Sequence, residues 1–137
     1  TTNLAAAAFT GSPAATYDNT TDAAVPGAPF ARATVVMPTF ASAPAAGAVI
    51  ELWGVVKDTA GAGTHDTDAP GSGAPNGARY FGQFVCDDVT TLQRRSTNID
   101  LRGVEKVDFY LKNGTAVQMT NNAGTACTLT VQPYTVG

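Results

Sequence analysis

The sequence predicts an all-β fold: a jelly-roll-like antiparallel β-sandwich of about eight strands, with an N-terminal arm and one long Gly-rich loop. Apolar and polar residues alternate with a period of two in at least six segments, and no stretch shows the 3.6-residue period of a helix. Thr (20 residues) and Val (13) are abundant, while Ile and Leu together number eight, so the β-branched side chains that favour strands are plentiful. Of the 44% apolar residues, 24 are Ala, which suits a thin two-layer core better than a thick helical one.

The organisation expected is an arm over residues 1–15 and a sandwich domain over 16–137, one domain of ordinary size. The arm, TTNLAAAAFTGSPAA, shows no alternation and is broken by Gly-Ser-Pro. It reads either as a disordered terminus or as an arm whose Leu4 and Phe9 dock on a neighbouring subunit. A short strand near Thr16–Thr20 opens the domain.

Phe30–Met37 is a strand with Phe30, Arg32, Thr34 and Val36 on one face and Ala31, Ala33, Val35 and Met37 on the other. Pro38 ends it, because proline cannot donate to a ladder. After the small-residue connection TFASAPAAGA comes Val49–Lys57, apolar on both faces and so an interior strand, or one whose outer face meets something. Residues 58–78 carry five of the fourteen glycines and no large apolar residue, the mark of a long surface loop.

Arg79–Val85 resumes the strand pattern, with Tyr80, Gly82 and Phe84 expected opposite Phe81, Gln83 and Val85. Asp87-Asp88 marks a turn, and Leu92–Leu101 reads as a polar strand. From Lys106 to Tyr134 the chain reads as a three-strand meander. Val107, Phe109 and Leu111 alternate with Asp108, Tyr110 and Lys112, Asn113-Gly114 has the chemistry of a type I′ hairpin, and Cys127, Leu129 and Val131 alternate after a second turn at Asn121–Gly124.

A net charge of −3 with eight Lys and Arg offers no basic stripe for a phosphate backbone, so direct nucleic-acid binding is not expected. No apolar run is long enough to cross a bilayer, so no membrane partner is expected, and residue 1 is not followed by the basic and apolar regions of a signal peptide. His65 is the only histidine, which excludes any site needing two imidazoles, and its His-Asp-Thr-Asp setting reads as solvated loop in preference to a cation site. A Ser-His-Asp reading would need Ser42, Ser72 or Ser96 as nucleophile, and none lies in a nucleophile elbow. Glu51, Asp87, Asp88 and Glu105 are the acids a glycosidase pair would draw on, but Asp87-Asp88 suits a turn and Glu51 suits an ion pair with Lys or Arg. The expectation is a non-enzyme with no catalytic, cofactor-binding or metal-binding residue.

The order Tyr17-Asp18-Asn19-Thr20, Leu52-Trp53-Gly54-Val55, Arg79-Tyr80-Phe81-Gly82-Gln83-Phe84, Leu101-Arg102-Gly103, Phe109-Tyr110-Leu111-Lys112-Asn113 and Thr128–Tyr134 resembles the small β-sandwich proteins that decorate or cement the capsids of tailed bacteriophages. The resemblance covers roughly Tyr17 to Tyr134 and rests on structural phrases. It implies a structural protein on the virion exterior, assembled in the host cytoplasm, with the major capsid protein and itself as partners. Because such proteins commonly sit on local threefold axes, it favours a homotrimer. Cys86 and Cys127 allow one disulfide by count, and the reducing assembly compartment that the resemblance implies favours buried free thiols.

The candidate interface residues are Leu4, Phe9, Trp53, Arg94 and Arg95. Trp53 is either core or an exposed anchor. Arg94-Arg95, with Arg102, either blunts an edge strand or meets an acidic patch on the shell. The alternative function is a carbohydrate-binding module that stacks a sugar on a surface Trp or Tyr, such as Trp53.

Overall fold

A computed structural model describes residues 4–10, 14–19, 27–57, 78–120 and 127–134. The loop expected over 58–78, except Ala78, and the turn at Asn121–Gly124 lie outside them, as do His65, Asp66, Asp68 and Ser72. The described residues are all-β and contain no helix. Their strands are β1 (Ala15–Asp18), β2 (Phe30–Met37), β3 (Thr39–Phe40), β4 (Val49–Lys57), β5 (Arg79–Val85), β6 (Gln93–Asp100), β7 (Lys106–Asn113), β8 (Met119–Thr120) and β9 (Thr128–Tyr134).

Two antiparallel sheets form the sandwich, one ordered β1-β7-β4-β5 and the other β6-β2-β9, with β3 and β8 pairing as a short separate ladder. Only β4 and β5 are both consecutive and paired; the other connections between the main strands cross from sheet to sheet, as in a jelly-roll-like sandwich. Alternation drives this closure. Ala31, Ala33, Val35 and Met37 of β2 are each 0% exposed and lie in one cluster with Ile50, Leu52 and Val56 of β4 and Val107, Phe109 and Leu111 of β7. The layers are close enough that a methyl added at Gly54 would come within 2.6 Å of both the Phe81 ring and Val107.

Three expectations are corrected. The first is the C-terminal meander: β7 pairs with β1 and β4, β8 with β3, and β9 with β2, so the three expected neighbours join three different sheets. Asn113-Gly114 is not a type I′ turn, for Gly114 is not among the described positive-φ glycines, Gly27, Gly47 and Gly103. Glycine is required there for another reason, since a Cβ would sit 2.6 Å from the Val49 carbonyl oxygen. Asn113 itself is fully buried. Its Oδ1 accepts from the Thr115 amide at 3.0 Å and the Thr115 hydroxyl at 2.7 Å, while its Nδ2 donates to Leu4 O at 3.1 Å and Val117 O at 2.8 Å.

The second correction is the face assignment in β5. Register runs Leu52↔Gly82 and then Trp53↔Tyr80, so Phe81 is the extra residue of a β-bulge. The bulge turns Phe81 inward, edge-on to Phe109 with ring centroids 5.3 Å apart, and leaves Tyr80 outward with its hydroxyl donating to Gln83 Oε1 at 3.0 Å. Phe84 is buried and Val85 exposed.

The third correction concerns the arm. Leu4 (3% exposed) and Phe9 (6%) are buried in the chain's own fold, so neither is free to dock on a neighbour. The Leu4 amide donates to Met119 O, the Ala7 amide to Asn113 O, the Thr10 amide to Leu111 O and the Ala14 amide to Phe109 O, all at 2.8–3.0 Å. The first described residues thus extend the β1 edge along β7, and residues 15 and 16 are consecutive members of β1 with no break between arm and domain. At the other end of that ladder Asn19 is buried, its amide donating to Glu105 O at 2.7 Å and its Nδ2 to Ala28 O at 3.0 Å and Val104 O at 3.2 Å.

Candidate interaction surface

The outer face of the four-stranded sheet is apolar at its centre, where the Phe9 side chain of the edge-paired arm joins it. Phe9, Val55 and Tyr110 form a second buried cluster, with Trp53 and Ala78 packed against it. Phe9, Trp53 and Tyr80 lie in a row, edge-on to one another, with ring centroids 6.0 and 5.5 Å apart. Trp53 is half-buried, and its indole N–H is buried without a hydrogen-bond partner among the described residues. The outward apolar face expected for β4 exists, but its own arm covers part of it. Burial, reinforced by the neighbouring Asp108 carboxylate, pushes the Tyr110 hydroxyl pKa up.

Charges on this face pair across strands. Lys57 pairs with Asp108, Lys106 with Asp18 at 3.5 Å, and Lys112 with Glu51 at 3.6 Å. Each such pair adds little stability, about 0–1 kcal/mol. The depression of about 400 Å³ lined by Asp18, Lys57, Lys106 and Asp108 therefore has its charges matched internally.

The arginines separate into different roles. Arg95 reaches across the seam between the sheets, donating from Nε to Val85 O at 3.0 Å and pairing with Asp87. That contact ties β6 to the free edge of β5 and shields it from a second strand. Arg94 is exposed. Arg102 holds Asp100 through two oxygens and lies over the Phe30 ring at 5.8 Å. Its hydrogen bonds lower the exposed Asp100 carboxyl to a pKa of about 2.

Of the acids weighed as a catalytic pair, Glu51 and Asp87 are thus engaged in separate ion pairs, while the Ser96 hydroxyl lies 2.9 Å from that of Thr34. No group of three or more His, Cys, Asp or Glu residues able to hold a metal ion occurs among the described residues. Cys86 and Cys127 are both free and buried. Burial raises both thiol pKa values, that of Cys127 to about 11, and Cys86 Sγ lies 3.6 Å from Met37 Sδ.

The residues missed from sequence are Tyr80, Val85, Val89 and Leu92, the exposed large hydrophobics among the described residues, all on β5 or its connection to β6. Val85 was masked because large apolar residues occupy both faces of its strand, so the pattern there does not say which face is covered. Val89 and Leu92, on either side of Thr90-Thr91, were the available signal.

No known protein family, curated protein or solved structure matches this chain.

Proposed function

We propose that the protein is a structural adhesin of the virion-decoration type, binding the exterior of a tailed-phage capsid by bridging subunits of the major capsid protein, itself as a homo-oligomer with a trimer favoured. The observation that carries the contact is that the exposed large hydrophobics among the described residues, Tyr80, Val85, Val89 and Leu92, all fall on β5 or its connection to β6. Exposed large apolar side chains confined to one segment are the material of an association surface. Exposed Arg94, one residue beyond the start of β6, supplies a charged rim. The interface accordingly moves from Leu4 and Phe9, which stabilise the chain's own fold, to the β5–β6 edge.

A protein that binds only the assembled lattice stabilises it by mass action. The test is co-sedimentation with capsids stripped of their decoration protein. Wild-type chain should pellet with the particles, and the double variant Val89→Asp, Leu92→Asp should bind at least about tenfold more weakly, the loss of an apolar anchor at an interface. Equal binding by the variant, or no binding by the wild type, would reject the reading. The sugar-stacking alternative on Trp53 finds less support, because that ring is held edge-on between Phe9 and Tyr80.

A further inference from the structure

The outer face of the three-stranded sheet is a second surface, different in chemistry from the β5–β6 edge. Register aligns its outward residues in rows across β6, β2 and β9. One row is Asn98, Arg32 and Gln132; beside it lies Ser96, Thr34 and Thr130, and on its other side Asp100, Phe30 and Tyr134. Directly opposed residues in antiparallel strands have Cβ atoms about 4.5–5.5 Å apart, so the Arg32 guanidinium stands between two side-chain amides. All three residues of that row are exposed, and none makes a side-chain hydrogen bond or ion pair among the described residues.

Charge on this face opposes that of the whole chain. The chain carries a net −3, yet this face presents Arg32 and Arg94, and its one described acid, Asp100, is taken by Arg102. An anion is therefore the complementary ligand. A guanidinium offers a planar fork of donors that matches a carboxylate, and the flanking amides add both donors and acceptors. The neighbouring row contributes hydroxyls, and a depression of about 200 Å³ lined by Arg32, Gln132, Pro133 and Tyr134 adjoins the guanidinium. Tyr134 is backed by Phe30, the rings stacked with centroids 6.0 Å apart, so the aromatic wall is supported from behind.

An acidic protein partner would want an apolar centre on such a face, since the cores of protein interfaces are depleted in charge. Here the centre is Arg, Asn, Gln and Thr. We propose that this face binds an acidic carbohydrate, with the carboxylate of a uronic-type sugar received by Arg32 between Asn98 and Gln132, and the sugar ring seated against Tyr134 and Pro133.

The proposal stands apart from the capsid contact, which rests on the β5–β6 edge and shares only Arg94 with this face, so either can fail alone. Isothermal titration of the full chain with trigalacturonate, neutral galactotriose and a short polyglutamate of matched charge tests it. Trigalacturonate should bind at least about tenfold more tightly than either of the others, and Arg32→Gln should weaken it at least about tenfold, as expected when a charge-assisted bidentate pair is removed. Gln132→Ala should weaken it by a smaller factor, with far-UV circular dichroism and melting midpoint unchanged in both variants. Trigalacturonate binding no tighter than galactotriose, or unchanged in Arg32→Gln, overturns the proposal. Polyglutamate binding as tightly as the sugar acid would show an acidic-protein surface instead and overturn it equally.

Discussion

Asn113 does the most for this fold at the scale of one residue. It is 0% exposed, and its side chain joins the arm, the end of β7 and the turn at Thr115–Val117. Replacing it with Ala strands the buried Thr115 amide, while the Leu4 and Val117 carbonyls keep the Met119 amide and the Thr115 hydroxyl as donors, and an unsatisfied buried group costs about 1–3 kcal/mol. Urea unfolding of Asn113→Ala should show a loss of about 1–3 kcal/mol. Gly114→Ala should also destabilise, because its Cβ meets the Val49 carbonyl oxygen, which is backbone and cannot move aside. From sequence this pair looked like hairpin chemistry. Dipeptide propensity records which backbone angles are allowed and says nothing about what the Asn side chain will find.

Cys127 gives a pH dependence. Its thiol is raised from 9.0 to about 11 in the folded state because burial disfavours the thiolate. The unfolded chain then ionises first, so the stabilising contribution is complete below pH 9.0 and is lost as pH rises through about 11. Denaturation midpoints should fall across that window, and Cys127→Ala should flatten the slope. An unchanged slope in the variant would assign the loss to other groups.

At the scale of elements, the arm overturns the most natural reading of the sequence. Leu4 and Phe9 are apolar side chains that a solvated tail has no use for, and their partners are β7, β8 and β4 of the same chain. Deleting residues 1–10 should therefore destabilise the fold by about 3–6 kcal/mol, the burial of two large apolar side chains at about 1.5–3 kcal/mol each. Chemical denaturation of the truncated chain checks this, and an unchanged midpoint would return the arm to the status of a loose terminus. The strands β2 and β4 were legible to the residue, because Pro38 ends β2 and β4 lies between a small-residue connection and a Gly-rich segment. Their partners were not legible, since period-two patterning reveals which face is buried and not which strand lies alongside. The bulge at Phe81 was likewise hidden, because adding one residue reverses the faces only beyond that point.

At the scale of the whole molecule, the two sheets present unlike outer faces. One carries the Phe9 ring of the arm and is edged by Tyr80, Val85, Val89 and Leu92; the other is largely polar and arginine-bearing. The all-β sandwich could be read from composition and alternation. The surfaces could not, because exposure depends on where the arm and the bulge place each side chain. Arg95 spans the seam where β5 and β6 meet, so Arg95→Ala should loosen that edge, and hydrogen exchange should report faster exchange in β5 and β6 than in β7.

The central claim is that this sandwich adheres to a capsid through its β5–β6 edge. Hydrogen–deuterium exchange of the chain, free and bound to stripped capsids, tests it most directly. The account predicts added protection concentrated over residues 80–95, with the amides of β7, already deep in the sheet, unchanged. Protection that is absent, or confined to β2 and β9, would contradict it.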